Sequence, residues 1–132
     1  MRLSIILNMY NTAIYMPRCI ESLLQQDIPS EDYEIIMVND GSPDDSLQMA
    51  EQYVQESEDA RQHGNPYPKM RVLSHANKGL AGARNTGIDA AEGDYLCFVD
   101  PDDYIETNSL SALLKRMDEG NLDILRFNYQ KV

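Results

Sequence analysis

The chain has 132 residues, 42% of them hydrophobic, which suits one domain around one core. Its 22 acidic and 11 basic residues give a formal net charge of -11. That balance argues against a general nucleic-acid or anionic-membrane binder, and leaves room only for a local basic pocket.

Elements alternate along the chain. "LSIIL" (3–7) reads as a buried strand, and it is too short for the apolar core of a signal peptide. Met16, Ile20, Leu23 and Leu24 then share one face of a helix, with Pro17 near its start. "EIIMV" (34–38) predicts a second strand. Ser42 and Pro43 read as the first residues of a second helix, whose core face is Leu47, Ala50 and Val54. Asp44 and Asp45 then cap that helix and offset its dipole. "ESEDARQHGNPYPK" (56–69) lacks apolar periodicity and reads as an irregular loop.

"MRVLSH" (70–75) is a third strand, Ala81 to Ala91 a helix of small residues, and "YLCFV" (95–99) a fourth strand. Leu110, Leu113, Leu114 and Met117 mark another helix, closed by Gly120, and "LDILRFNY" (122–129) a fifth strand. Cys19 and Cys97 lie in apolar surroundings, with neither a CxxC pair nor a nearby His, and read as reduced core thiols. No apolar run approaches the ~18 residues that span a bilayer, so the chain reads as soluble and cytoplasmic.

Strands alternating with helices imply right-handed crossovers and an α/β fold: a Rossmann-like, three-layer αβα arrangement with a mostly parallel sheet. Such sheets bind ligands at the carboxyl ends of their strands, where strand order reverses. Three polar clusters fall at those ends: "NMYN" (8–11), "NDGS" (39–42) and "DPDD" (100–103). With strand order 3-2-1-4 they surround one crevice. Asp40 and Tyr10 also have plain readings, as a turn residue and as packing at the sheet edge. The three carboxylates of "DPDD" are harder to reduce to a turn. They form a hard oxygen site suited to Mg²⁺ or Mn²⁺, an ion that shares its coordination sphere with phosphates. The loop "NMYNTA" lacks the GxGxxG of a dinucleotide fold, no P-loop is present, and "DPDDYIE" lacks the glycine of a calcium loop.

"SIILNMYN", "VNDGS" and "NKGLAGARNTGIDAAEGDYLCFVDPDDYI", in that order, resemble the family 2 glycosyltransferases, which have the glycosyltransferase A fold. The resemblance runs from Leu3 to Val132. It implies transfer of a sugar from a nucleotide-sugar donor, with UDP as the nucleotide, to a saccharide or lipid-linked acceptor, inverting the anomeric centre. By the same resemblance, Asn8 and Tyr10 lie beside the base and ribose, and Asp40 accepts a hydrogen bond from the base. Asp100 contacts the ribose or the ion, Asp102 is the metal ligand, and Asp103 supports the loop. Arg84 faces the nucleotide or phosphates, or else pairs with an acid, and Lys78 is equally open. Gly79, Gly82 and Gly87 permit close approach of helix and sheet.

Two departures stand out. Where the family often carries proline near the end of the first strand, this chain has Asn8. Members also continue for roughly another hundred residues, which carry acceptor recognition and the general base. The chain therefore reads as a donor-binding part, 1–132, with its truncated sheet edge near 122–132 inviting self-association. A non-catalytic nucleotide-binding module and a sugar nucleotidyltransferase are the alternatives. The latter would want a glycine-rich basic loop after the first strand.

Overall fold

A computed structural model describes residues 1–120 of the chain. Four strands, β1 (Leu3–Met9), β2 (Tyr33–Asp40), β3 (Lys69–His75) and β4 (Tyr95–Phe98), form one sheet. All pairs are parallel and the order is β3-β2-β1-β4, as expected. The helices are α1 (Met16–Leu24), α2 (Ser46–Gln62), α3 (Gly79–Ala90) and α4 (Leu110–Gly120). The expected fifth strand, and the self-association tied to it, lie outside the described residues.

The period-two alternation of β1 and β2 divides the core. Leu3, Ile5, Leu7 and Met9, with Tyr33, Ile35 and Met37, face α1, α2 and α4, meeting Met16, Cys19, Ile20, Leu23, Ala50, Leu110 and Leu114. Ile6, Ile36 and Val38 face α3 through Ala83. Each large apolar side chain buried this way contributes about 1.5–3 kcal/mol. Gly87 lets α3 sit close, since a Cβ there would meet Ile6 Cγ2 at 2.5 Å. Gly79 serves otherwise: nothing lies near it, and its φ of +79° is the left-handed backbone that opens α3. Both thiols are free; burial pushes the Cys19 thiol up to about 12 and Cys97 to about 11, which disfavours the thiolate.

Two expectations are corrected. The second helix starts at Ser46, not at Ser42 and Pro43, because the side chains of Ser42 and Asp44 are engaged in tying loops together. The stretch from residue 56 is helical to Gln62, because α2 lies along β3 with its outer face polar. Ser57, buried among acidic neighbours, donates to the Pro68 carbonyl at 2.7 Å, and Gly64 ends the run with φ +76°.

At the amino-terminal end of the sheet lies a fully buried Glu34. It accepts hydrogen bonds from Ser4 Oγ (2.7 Å), the Glu92 amide (2.8 Å) and Arg71 Nη2 (3.0 Å). One carboxylate thus joins β1, β2, β3 and the turn after α3. Removing one partner of such a pair strands the other charge. Glu34→Gln is expected to cost about 3 kcal/mol, the low end of the usual range because Arg71 reaches solvent. The paired change Glu34→Leu with Arg71→Met should recover most of it. Urea unfolding checks this, and an unchanged midpoint for Glu34→Gln would show that the network does not hold the sheet.

Candidate functional site

At the carboxyl ends of β1 and β2, on the α3 side, lies a cavity of about 290 Å³. It is lined by Asn8, Met9, Tyr10, Asp40, Asn77, Gly79, Leu80 and Ala83. Asn8 and Asp40 lie on the face of β1 and β2 that α3 covers, and Met9 and Tyr10 complete that wall at the end of β1.

Asp40 is buried at the last position of β2. A buried carboxylate must be hydrogen-bonded to persist. The Lys78 amide donates to Asp40 Oδ1 at 2.7 Å, and His75 Nδ1 stands 3.5 Å from the same oxygen. Asn77 Nδ2 donates to the Asp40 carbonyl at 3.2 Å, and Asn77 Oδ1 accepts from the Gly79 amide at 3.1 Å. The amino-terminal end of α3, with its positive dipole, therefore closes on Asp40. Gly41 makes this approach possible: its φ is +68°, and a Cβ would meet the Asn77 nitrogen at 2.8 Å. Among the described residues, every side-chain partner of Asp40 is on Oδ1, which leaves Oδ2 for a ligand.

Asn8 is unusual. Its Oδ1 is buried without a hydrogen-bond partner. Tyr10, at the same rim, is half exposed (49%). Asn39, from the same "NDGS" cluster, turns to the opposite face: Nδ2 donates to Ser74 Oγ and Oδ1 accepts from the Ser42 amide. Its role is to hold the turn.

The acidic group lies beyond β4, on the far side of β1 from β2, and does not line this cavity. Ligand oxygens of Asp100, Asp102 and Asp103 all fall within 4.8 Å of one another, and all three side chains are exposed. Burial first, then Asp102 and Asp100, raise the Asp103 carboxyl above the usual range, against Arg18, which lowers it. Three crowded hard oxygens under mutual repulsion fit a divalent cation, which would reverse that repulsion. Arg18 stacks on Tyr104 (4.5 Å to the ring centre) and donates to the Asp102 carbonyl at 3.4 Å. Arg84 forms no ion pair with an acid among the described residues; its guanidinium lies over the Phe98 ring at 5.4 Å. Lys78 contributes its backbone amide. His75, Asn77 and Leu80 were not singled out by the sequence; the "N" of "NKG", two residues before a left-handed glycine, was the available signal.

A larger depression, about 510 Å³, lies at the opposite ends of the strands, against Met1, Tyr33, Arg61, Tyr67 and Lys69. The carboxyl-end cavity is preferred because polar groups converge there. An orphaned buried oxygen costs about 1–3 kcal/mol. Asn8→Val, which suits a strand, should therefore stabilise the free chain by about 1 kcal/mol, raising Tm by about 4 °C. A fall in Tm in a melting experiment would contradict this account of Asn8.

With this geometry in hand, known proteins can be set beside the chain. The family model "Glycosyl transferase family 2" matches residues 4–131. EpsJ of Bacillus subtilis, described as an uncharacterized glycosyltransferase, is 44% identical over 128 residues, covering 97% of this chain and 34% of its own. The poly(ribitol-phosphate) beta-glucosyltransferase of Bacillus spizizenii is 37% identical over 126 residues, covering 94% of this chain and 18% of its own. Among solved structures, TarS 1-349 of S. aureus in complex with UDP-GlcNAc superposes with a TM-score of 0.78 at 31% identity, over 92% of this chain and 32% of that one. The chain thus spans about a third or less of the length of these relatives. Its αβα sheet is that of the glycosyltransferase A fold, and the chain belongs to glycosyl transferase family 2.

Proposed function

We propose that this chain is the donor-binding part of a glycosyltransferase that moves a sugar from a UDP-sugar to an acceptor hydroxyl. The observation that carries this is the cavity in which Asp40 presents a free carboxylate oxygen beside Asn8 and Tyr10. A carboxylate oxygen is an acceptor for a ring N–H, and uracil offers one. Tyr10 offers a ring face beside the base or ribose. The amino-terminal end of α3 at the same cavity favours negative charge. The UDP and UDP-GlcNAc complexes of TarS support the choice of nucleotide.

Asp102, with Asp100, would hold Mn²⁺ or Mg²⁺, and Asp103 completes the acidic group. Such an ion supplies neutralisation of the charge on a leaving diphosphate. The chain spans about a third or less of the length of its relatives, and this reading assigns it donor binding without transfer of sugar at a useful rate. The expected course is a single in-line displacement with inversion. The acceptor in this reading is a saccharide or a lipid-linked acceptor. Among the described residues no helix is long and apolar enough to cross a membrane.

Calorimetric titration of UDP, with and without Mn²⁺, tests the assignment. Asp40→Asn should weaken UDP binding ten- to hundredfold in both conditions, since one charged hydrogen bond is worth about 1.5–3 kcal/mol. Asp102→Asn should bind UDP like the parent without metal and lose the enhancement by Mn²⁺. Full retention of the metal effect in Asp102→Asn would mean that the acidic group is not the ion site.

A further inference from the structure

The loop that carries Tyr10 is not held by packing. Tyr10 itself is half exposed, Asn11 has a φ of +56°, uncommon for a residue with a side chain, and Ile14 is 82% exposed. Two hydrogen bonds from the neighbouring loop pin its backbone. The Asn11 amide donates to Ser42 Oγ at 2.9 Å, and the Ala13 amide donates to Asp44 Oδ2 at 3.1 Å.

These two acceptors are one unit. Ser42 Oγ donates to Asp44 Oδ1, which turns a lone pair of Ser42 toward the Asn11 amide. Asp44 Oδ1 also accepts from the Ser46 amide at 3.1 Å, which anchors the carboxylate at the start of α2. Partial burial pushes the Asp44 carboxyl up, but hydrogen bonds from Ser42, Ser46 and the Ala13 amide outweigh it and bring it down to about 2. A carboxylate that only started α2 would need the Ser46 contact alone. The contact to Ala13 serves the first loop, not the helix.

We propose that Asp44, which does not line the cavity, is a positioning residue for nucleotide binding: with Ser42 it clamps the Tyr10–Ala13 loop, so that the Tyr10 ring stands at the cavity rim. This rests on the reading of that cavity as the nucleotide site. Asp44 acts only through Tyr10, and that separates it from a residue that merely stabilises the fold. Without the clamp the chain after Met9 samples other backbone conformations, and the ring must be ordered again on each binding event.

The test is a double-mutant cycle on UDP affinity, measured by calorimetry for the 132-residue chain. Asp44→Ala should weaken UDP binding about tenfold, the equivalent of one well-formed contact. In a Tyr10→Ala background the same change should weaken it about twofold or less, because the group it positions is already gone. Equal losses in both backgrounds, or no loss in either, overturn the proposal. If Asp44→Ala does not fold, Ser42→Ala takes its place, since it removes the acceptor for Asn11 while Asp44 still starts α2. It should show the same dependence on Tyr10, and independence of Tyr10 would overturn the proposal equally. A parent chain that binds no UDP contradicts the nucleotide reading itself, which is distinct from UDP binding without coupling.

Discussion

The hydrogen bond from the Lys78 amide to Asp40 Oδ1, at 2.7 Å, is the contact on which the site depends. A carboxylate at the end of a central strand, buried in a chain of net charge -11, needs a fixed donor to stay there. The donor comes from a backbone turn, which cannot swing away as a lysine side chain can. That turn must approach β2 closely, and the approach requires Gly41 without a Cβ. It also places Gly79 and the first turn of α3 on the cavity wall. The position of α3 and the fixing of Asp40 Oδ1 therefore have one common cause.

The two ends of the sheet handle buried acids differently. Glu34, at the amino-terminal end, has partners on both oxygens. It is closed and structural, and it joins three strands. At the carboxyl end Asp40 keeps one oxygen open and Asn8 keeps one buried oxygen unpaired. A fold satisfies its buried polar groups wherever it can. Arg71 Nε, beside Glu34, is also buried and unpaired, but only the Asn8 and Asp40 oxygens sit at the wall of a space that a ligand can enter. The acidic group after β4 follows the same logic with charge in place of hydrogen bonds, since its three oxygens repel until a cation lies among them.

Much of this was legible in the sequence. Buried parallel strands are continuous apolar runs, so β1 and β2 stood out, β4 was legible as an apolar run although Leu96 and Phe98 are exposed, and the alternation with helices implied a parallel sheet with right-handed crossovers. "NMYN", "NDGS" and "DPDD" were visible as polar clusters at strand ends. What escaped were features made by tertiary contact. Glu34 was hidden at the head of "EIIMV", because a single charge on one face does not alter the apolar run. The last turns of α2 have few apolar residues, since that helix rests on β3 along a narrow stripe. Asp44 looked like a helix-capping acid, because its contact to Ala13 joins positions 31 residues apart. Lys78 acts through a backbone N–H, a group that carries no sequence signature of binding, and Asn77 was marked only by the left-handed glycine two residues on.

On this reading the nucleotide enters the cavity at the carboxyl ends of β1 and β2. Amide chemical-shift mapping on the isotopically labelled chain, during titration with UDP, tests it directly. The predicted result is a compact set of shifts at Gly41, Lys78, Gly79 and Leu80, with the Lys78 amide prominent because its acceptor carries the new contact. Shifts gathered instead at Tyr33, Arg61, Tyr67 and Lys69, around the larger depression at the opposite end of the sheet, would contradict it.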